Sequence, residues 1–286
     1  MNKINKALLQ KRFNKAAVCY DRYANVQKKM GDRLIKQAAD ACRNNPPASI
    51  LELGCGTGYV TERLAGLFPE ATITAVDFAP AMIEKARKRT GNKDVQFVCS
   101  DIEQMVFLRK FDLIISNATF QWFNNLGGTL QKVTGALEQK GILLFSTFGQ
   151  QTFQELHASF RKAAELTGTS GAIGQTFLAA HELQQLCVHA HAEQVSVDEE
   201  MYIERFPTVR AFLESVRKIG AANSNDEKYC QSPSVLKRMM KLYETEFQQD
   251  GHVIATYHAL FASIIKKGEE KYGTCSNKTG LEKVSV

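Results

Sequence analysis

Three glycines at alternating positions, Gly54, Gly56 and Gly58, follow the apolar run Ile50-Leu51-Glu52-Leu53, with Glu52 two residues ahead of the first. Alternating glycines let a backbone turn sharply and come close to a ligand, because no Cβ intervenes. Val60, Leu64 and Leu67 recur behind the turn at roughly helical spacing. The run therefore reads as strand, turn and helix, with unpaired N–H groups where the helix starts. A second acid, Asp77, ends the next apolar run 23 residues after Gly54. In nucleotide-type α/β sheets an acid at that place accepts hydrogen bonds from ribose hydroxyls. A dinucleotide site needs G-x-G-x-x-G, so that a pyrophosphate reaches the helix start; here the third place of that pattern is Tyr59. Glu52 would repel a diphosphate and suits a ligand that carries positive charge.

Further candidates stand at the ends of later apolar runs. Phe78 and Met82 follow Asp77, where an adenosine could lie against them. The third run ends Ser100-Asp101-Ile102, and either Ser100 or Asp101 would also cap a helix well. The fourth leads into Ser116-Asn117-Ala118-Thr119-Phe120-Gln121-Trp122, which holds the only tryptophan; a large aromatic there serves equally as a core anchor. Tyr20, Tyr23 and Gln27 lie three and four apart, on one face of a helix. The six histidines form no H-x-x-x-H pair and the seven cysteines no C-x-x-C pair. Neither a metal site nor a disulfide framework is expected, which fits a reducing cytoplasm.

The elements that must position these groups can be traced along the 286 residues. Residues 1–45 read as a helical arm that ends at Asn44-Asn45-Pro46-Pro47. Residues 46–150 alternate strand and helix, with strands expected near 50–53, 71–77, 95–99, 111–117 and 141–148, and a helix over 126–138. Residues 151–266 complete the sheet with strands six (194–204) and seven (252–265), and helices over 207–219 and 232–249 form a lid. Residues 267–286 read as a polar tail. The expected fold is a Rossmann-like α/β fold with a seven-stranded, mostly parallel sheet and helices on both faces. No apolar run reaches the ~20 residues of a membrane helix, and the first residues lack a secretory signal's apolar core.

Glu52-x-Gly54-x-Gly56-x-Gly58 with the strand-ending Asp77 resembles the first two motifs of class I S-adenosylmethionine-dependent methyltransferases. The resemblance implies that Asp101 and the Ile102 amide bind an adenine ring, and that Asn117 lies beside the methyl donor. Enzymes of this class that methylate bases often carry Asn/Asp-Pro-Pro-Tyr after the fourth strand. Ser116-Asn117-Ala118-Thr119 stands there instead, so no nucleic-acid substrate is expected. Ser-Asn-Ala-x-x-Gln-Trp resembles methyltransferases of small carboxylic acids.

Over residues 5–265 the chain resembles the malonyl-acyl carrier protein O-methyltransferases of biotin synthesis. The carriers are Arg12-Phe13, Ala16-Ala17, Tyr20-Asp21, Tyr23-Ala24 and Val26-Gln27 in the arm, Phe145–Gly149, Glu155-Leu156, and Ser215–Ala221 with Asn223. One departure is Ala222, inserted between Ala221 and Asn223. This resemblance implies that Tyr20, Tyr23 and Gln27 close over S-adenosylmethionine. Tyr20, Gln121, Trp122 and Arg217 then serve the reaction, with Arg217 holding a carboxylate in its planar fork. A methyltransferase for a free small acid, such as a trans-aconitate-like substrate, shares the Asn117–Trp122 loop. Residues 1–36 carry ten Lys or Arg against Asp21 and Asp32, and 205–241 eight basic residues against three acidic. Either region is an ordinary solvated helix face or a steering field for an acidic carrier protein.

Overall fold

The computed structural model describes residues 3–91, 94–169, 173–190, 192–221 and 232–267. The apolar runs form parallel strands β1 (Ser49–Leu53), β2 (Thr72–Asp77), β3 (Val95–Cys99), β4 (Phe111–Ser116) and β5 (Leu137–Phe148). Beyond them come β6 (Ala192–Phe206), β7 (Gln248–Gln249) and β8 (His252–Lys266). The sheet order is β3-β2-β1-β4-β5-β8-β6, with β7 paired to β8, which runs antiparallel to β5 and β6. The chain winds outward from β1 to β3 and then crosses back to β4. A crevice therefore opens where the carboxyl ends of β1 and β4 diverge, which is where open α/β sheets bind ligands.

Neighbouring residues of the central strands point to opposite faces, so both faces are apolar. On β4, Leu113 and Ile115 join one buried cluster with Met30, Leu34 and Leu64, while Ile114 joins another with Leu130 and Val133. The helices that cover the faces include α3 (Asn25–Ala41), α4 (Tyr59–Leu67), α5 (Pro80–Thr90), α6 (Leu126–Gly135), α7 (Gln154–Thr167) and α8 (Ala180–Val188). Polar pins fix β1 against β4 at both ends. The Asp112 carboxylate accepts the Ala48 and Ser49 N–H groups at 3.0 and 2.9 Å, and Ser116 Oγ donates to Leu53 O at 2.7 Å.

The arm is three helices, α1 (Lys6–Ala16), α2 (Tyr20–Tyr23) and α3. α9 (Val209–Lys218) and α10 (Pro233–Glu246) stand between β6 and β8. Three boundaries differ from the pattern in the sequence. α10 stops at Glu246 and the chain forms a hairpin instead of continuing to 249, because Asp250 and Gly251 take φ of +50° and +75°. That Asp-Gly turn suits a tight hairpin, and it adds β7, making eight strands. α6 ends at Gly135, and β5 begins at Leu137 through an irregular stretch in which Lys140 has φ of +61°. No described helix is long and apolar enough to cross a membrane.

Glu155 is 2% exposed on α7 and accepts the Thr256 N–H at 3.1 Å and the Thr256 hydroxyl. It joins α7 to β8, the strand inside the β6 edge of the sheet. Glu155→Ala should lower unfolding free energy by about 1–3 kcal/mol, since a buried backbone donor loses its partner. Chemical denaturation reads this directly, and an unchanged midpoint would show that the bond contributes nothing net.

Candidate functional site

The three glycines all take positive φ, +74°, +53° and +82°, and each for a different reason. A Cβ on Gly54 would stand 2.0 Å from Thr119 Oγ1, and one on Gly58 would stand 2.8 Å from Ala86 Cα. Gly54 thus lets β1 pass close to the loop after β4, and Gly58 lets α4 and α5 touch. A Cβ on Gly56 would meet nothing within 4 Å, and Gly56 borders the main cavity. Of the three, it is the one that leaves room for a ligand.

Two acids hold this turn. Asp77 accepts the Gly56 N–H at 2.9 Å and the Ala79 N–H at 2.8 Å, so one carboxylate ties the glycine turn to the start of α5. Burial pushes its pKa up to about 6, although these bonds favour the charged form. Glu52 is 2% exposed and accepts the Thr61 hydroxyl at 2.5 Å. Burial, opposed by that hydrogen bond and reinforced by Asp77, pushes Glu52 up to about 8. Glu52 sits behind the turn, bordering a small side cavity with Tyr20, Gln27 and Asn117.

The main cavity is a concave site partly open to solvent, the form in which small-molecule sites occur. Gly54, Gly56, Asp77, Phe78 and Met82 form one wall, and Asp101 and Ile102 extend it. Tyr20, Gln27, Asn117, Gln121 and Trp122 border it as well. Burial and the nearby charges of Asp77 and Asp21 raise the Tyr20 pKa, so its phenol stays a donor. Asn117 donates to Gln27 O at 2.8 Å and accepts from Ser146 Oγ at 2.7 Å, fixing α3 against β5. The Gln121 amide donates to Ala118 O at 2.7 Å and accepts from Thr147 Oγ1 at 3.0 Å, so this side chain braces its own loop. Asp101 accepts from Lys6 Nζ at 3.4 Å and from the Glu103 N–H at 3.1 Å.

Lys6, Leu9 and Phe13 of α1 also line this cavity, and sequence reasoning did not single them out as site residues. Their helical spacing was the available signal, but it does not say which surface α1 covers. The arm is latched across the opening at several points. Gln10 Nε2 donates to Phe78 O at 2.6 Å, Asn14 Oδ1 accepts the Ala81 N–H at 3.0 Å, and Asp21 pairs with Arg89 at 2.7 Å. Phe13 meets Trp122 edge to face with centroids 5.7 Å apart.

A second, more apolar cavity adjoins the first. It shares Gln27, Trp122, Phe148, Ile219 and Ala221 with it, and continues past Phe153, Phe212 and Tyr257 to Val216 and Arg217. Arg217 stands at its rim with a 72% exposed side chain, 3.7 Å from Glu214. Gly58 and Arg217 do not border the main cavity. Ala222 and Asn223 lie outside the described residues.

A family profile described as "Methyltransferase domain" matches residues 44–207. A malonyl-acyl carrier protein O-methyltransferase from Bacillus cytotoxicus is 51% identical over 285 residues, covering 99% of this chain and all of the relative. Among solved structures, the YcgJ protein from Bacillus subtilis superposes with a TM-score of 0.58 at 13% identity, covering 83% of this chain and all of that one. The N-methyltransferase NodS from Bradyrhizobium japonicum, solved with S-adenosyl-L-homocysteine, gives a TM-score of 0.51 at 15% identity, covering 91% and 98% of the two chains. At such identities the structural likeness concerns the fold.

The raised pKa of Glu52 has a definite sign. Between the ordinary 4.5 and about 8, the folded protein holds a proton that the unfolded chain has released. Stability must therefore fall as pH rises through that window. Glu52→Gln, which cannot ionise, should show a smaller fall in Tm between pH 5 and pH 8 than the unaltered protein, by several degrees. Parallel Tm profiles would contradict the buried carboxyl described above.

Proposed function

Because the chain belongs to the family of malonyl-acyl carrier protein O-methyltransferases, we propose that it transfers a methyl group from S-adenosylmethionine to the free carboxylate of malonyl-acyl carrier protein. The product methyl ester masks the charge, so that chain-elongating enzymes accept it as a primer, the step expected in biotin synthesis. What carries this reading for the site is the meeting of two cavities of different character. The acidic one, floored by the glycine turn, suits an adenosyl sulfonium. The apolar one, running outward to the rim at Arg217, suits an acyl group on a flexible arm.

The residues present fit the donor. Gly56 leaves open space beside the turn. The Asp77 carboxylate is an acceptor for ribose hydroxyls, and Phe78, Met82 and Ile102 offer apolar surface for a flat ring. When bound, S-adenosylmethionine supplies a methyl carbon already activated by its sulfonium. The substrate carboxylate is ionised at neutral pH, so no residue has to remove a proton. One carboxylate oxygen gains the methyl carbon, and the carbon–sulfur bond breaks with its electron pair left on sulfur. An anionic carboxylate and a cationic sulfonium become a neutral ester and a neutral thioether. What remains for the chain is alignment and exclusion of water, for which Trp122, Phe148 and Ile219 form an apolar seam.

Part of the basic charge of the arm is paired internally, as in Lys6 with Glu103 at 2.7 Å and Arg33 with Glu200 at 2.7 Å. Lys11, Lys15, Arg22 and Lys29 are exposed, as are Arg210, Arg217, Lys237 and Arg238. We assign these residues to docking of an acidic carrier.

Turnover with methyl-labelled donor tests the substrate. Label should enter malonyl-acyl carrier protein far faster than free dicarboxylic acids; equal rates would favour the free-acid reading. Asp77→Ala should weaken donor binding by about 1–3 kcal/mol, as expected when hydrogen bonds to a charged acceptor are lost, and unchanged affinity in calorimetry would remove Asp77 from the donor site. Raising salt should lower kcat/KM for the carrier-borne substrate, because surface charges are screened; a flat response would contradict docking on the basic faces.

A further inference from the structure

Five residues border both cavities, and only two of them, Gln27 and Trp122, have side chains that form hydrogen bonds. Both are deeply buried, at 7% and 9% exposure. Their polar heads are not sealed in, however: among the described residues Ser159 Oγ is the one fully buried side-chain polar atom without a partner, so the N–H groups of Gln27 and Trp122 reach the cavity space they border. Here the Gln27 side-chain NH₂ and the Trp122 indole N–H donate to nothing among the described residues, while their neighbours are bonded within the chain. Gln121 is held at both ends of its amide, and Asn117 donates to the Gln27 backbone carbonyl at 2.8 Å. Gln27 is thus pinned by its backbone, with its amide head left unpaired. Trp122 is fixed by its ring against Phe13, and its N–H is a donor only.

We propose that Gln27 and Trp122 form a donor pair that grips the substrate carboxylate at the seam of the two cavities, and that this pair, not Arg217, orients it for methyl transfer. The inference rests on the function proposed above. The reacting carboxylate must lie where the acyl cavity meets the donor cavity, and among the described residues that border both, Gln27 and Trp122 are the two whose side chains offer N–H groups. Arg217 is at the opposite end, largely in solvent and beside Glu214.

The chemistry favours neutral donors at this position. Two N–H groups stabilise a carboxylate in an apolar seam and fix the plane of its oxygens. They leave it with its full negative charge, whereas a bidentate guanidinium would draw that charge away from the attacking oxygen. Once the ester forms, the charge is gone and the same bonds become ordinary neutral ones, which are weaker. The pair therefore holds the substrate more tightly than the product and assists release.

The test uses Gln27→Met, which keeps length and removes the donors, and Trp122→Phe, which keeps an aromatic ring and removes the N–H. Each is assayed on malonyl-acyl carrier protein at saturating donor, with donor affinity measured separately by calorimetry. Each variant should lose about ten- to a hundred-fold in kcat, the range for hydrogen bonds to a charged group, and because both residues also border the donor cavity, donor Kd shifts too, but by much less than the rate. Full kcat in either variant would overturn the donor pair, as would a loss of donor affinity matching the loss of rate. Gln27→Met decides the matter if Trp122→Phe loosens the arm. If the unaltered protein methylates neither malonyl-acyl carrier protein nor free dicarboxylic acids, the proposed function fails, and the pair with it. Turnover by the unaltered protein together with unimpaired variants would overturn the pair alone.

Discussion

Two carboxyl groups buried around one glycine turn constrain everything else in this site. Glu52 and Asp77 stand at 2% and 7% exposure on neighbouring strands, and burial pushes both toward the protonated form. Hydrogen bonds from Thr61, Gly56 and Ala79 offset part of that cost. A cation bound nearby would offset more of it, and a second anion would add to it. The site is therefore biased toward a positively charged ligand before any contact with that ligand is considered. The sheet places it there: strand order reverses between β1 and β4, so the turn after β1 faces an open crevice.

The remainder of the molecule closes that crevice and joins it to a second one. The arm crosses the opening on polar latches to Phe78, Ala81 and Arg89 and brings Leu9 and Phe13 down as apolar cover. The loop after β4 is stiffened by Gln121 and by Asn117, whose amide spans from α3 to β5. That rigidity sets Trp122 between the two cavities. Methyl transfer to a carboxylate needs little else: no proton is moved, and water must be kept from the seam.

Much of this was legible in the sequence because the physics is local. A glycine turn after a buried strand, an acid at the end of the next strand, and apolar runs of period two each specify their own geometry. The succession of strands and helices follows from those signals, and the candidates between Gly54 and Trp122 that border the main cavity were reached with the help of the family resemblance. What was not legible depends on contacts between distant segments. Gly58 sits against Ala86, not a ligand, because α4 and α5 happen to touch there. Arg217 lies on a helix whose position over the sheet no periodicity reveals, and it falls at an exposed rim. Lys6 reaches Asp101 across 95 residues of chain. The Asp250-Gly251 hairpin was present as a local signal, yet the helical spacing ahead of it masked it.

The most direct measurement is calorimetric binding of S-adenosylmethionine and of its uncharged demethylated product across pH. If buried Glu52 and Asp77 make the site a cation pocket, the affinity of the sulfonium relative to the neutral thioether should rise as pH increases from about 5 to 9 and these carboxyls ionise. A ratio that stays constant over that range would show that the buried acids do not sense the ligand's charge, and would contradict the account at its base.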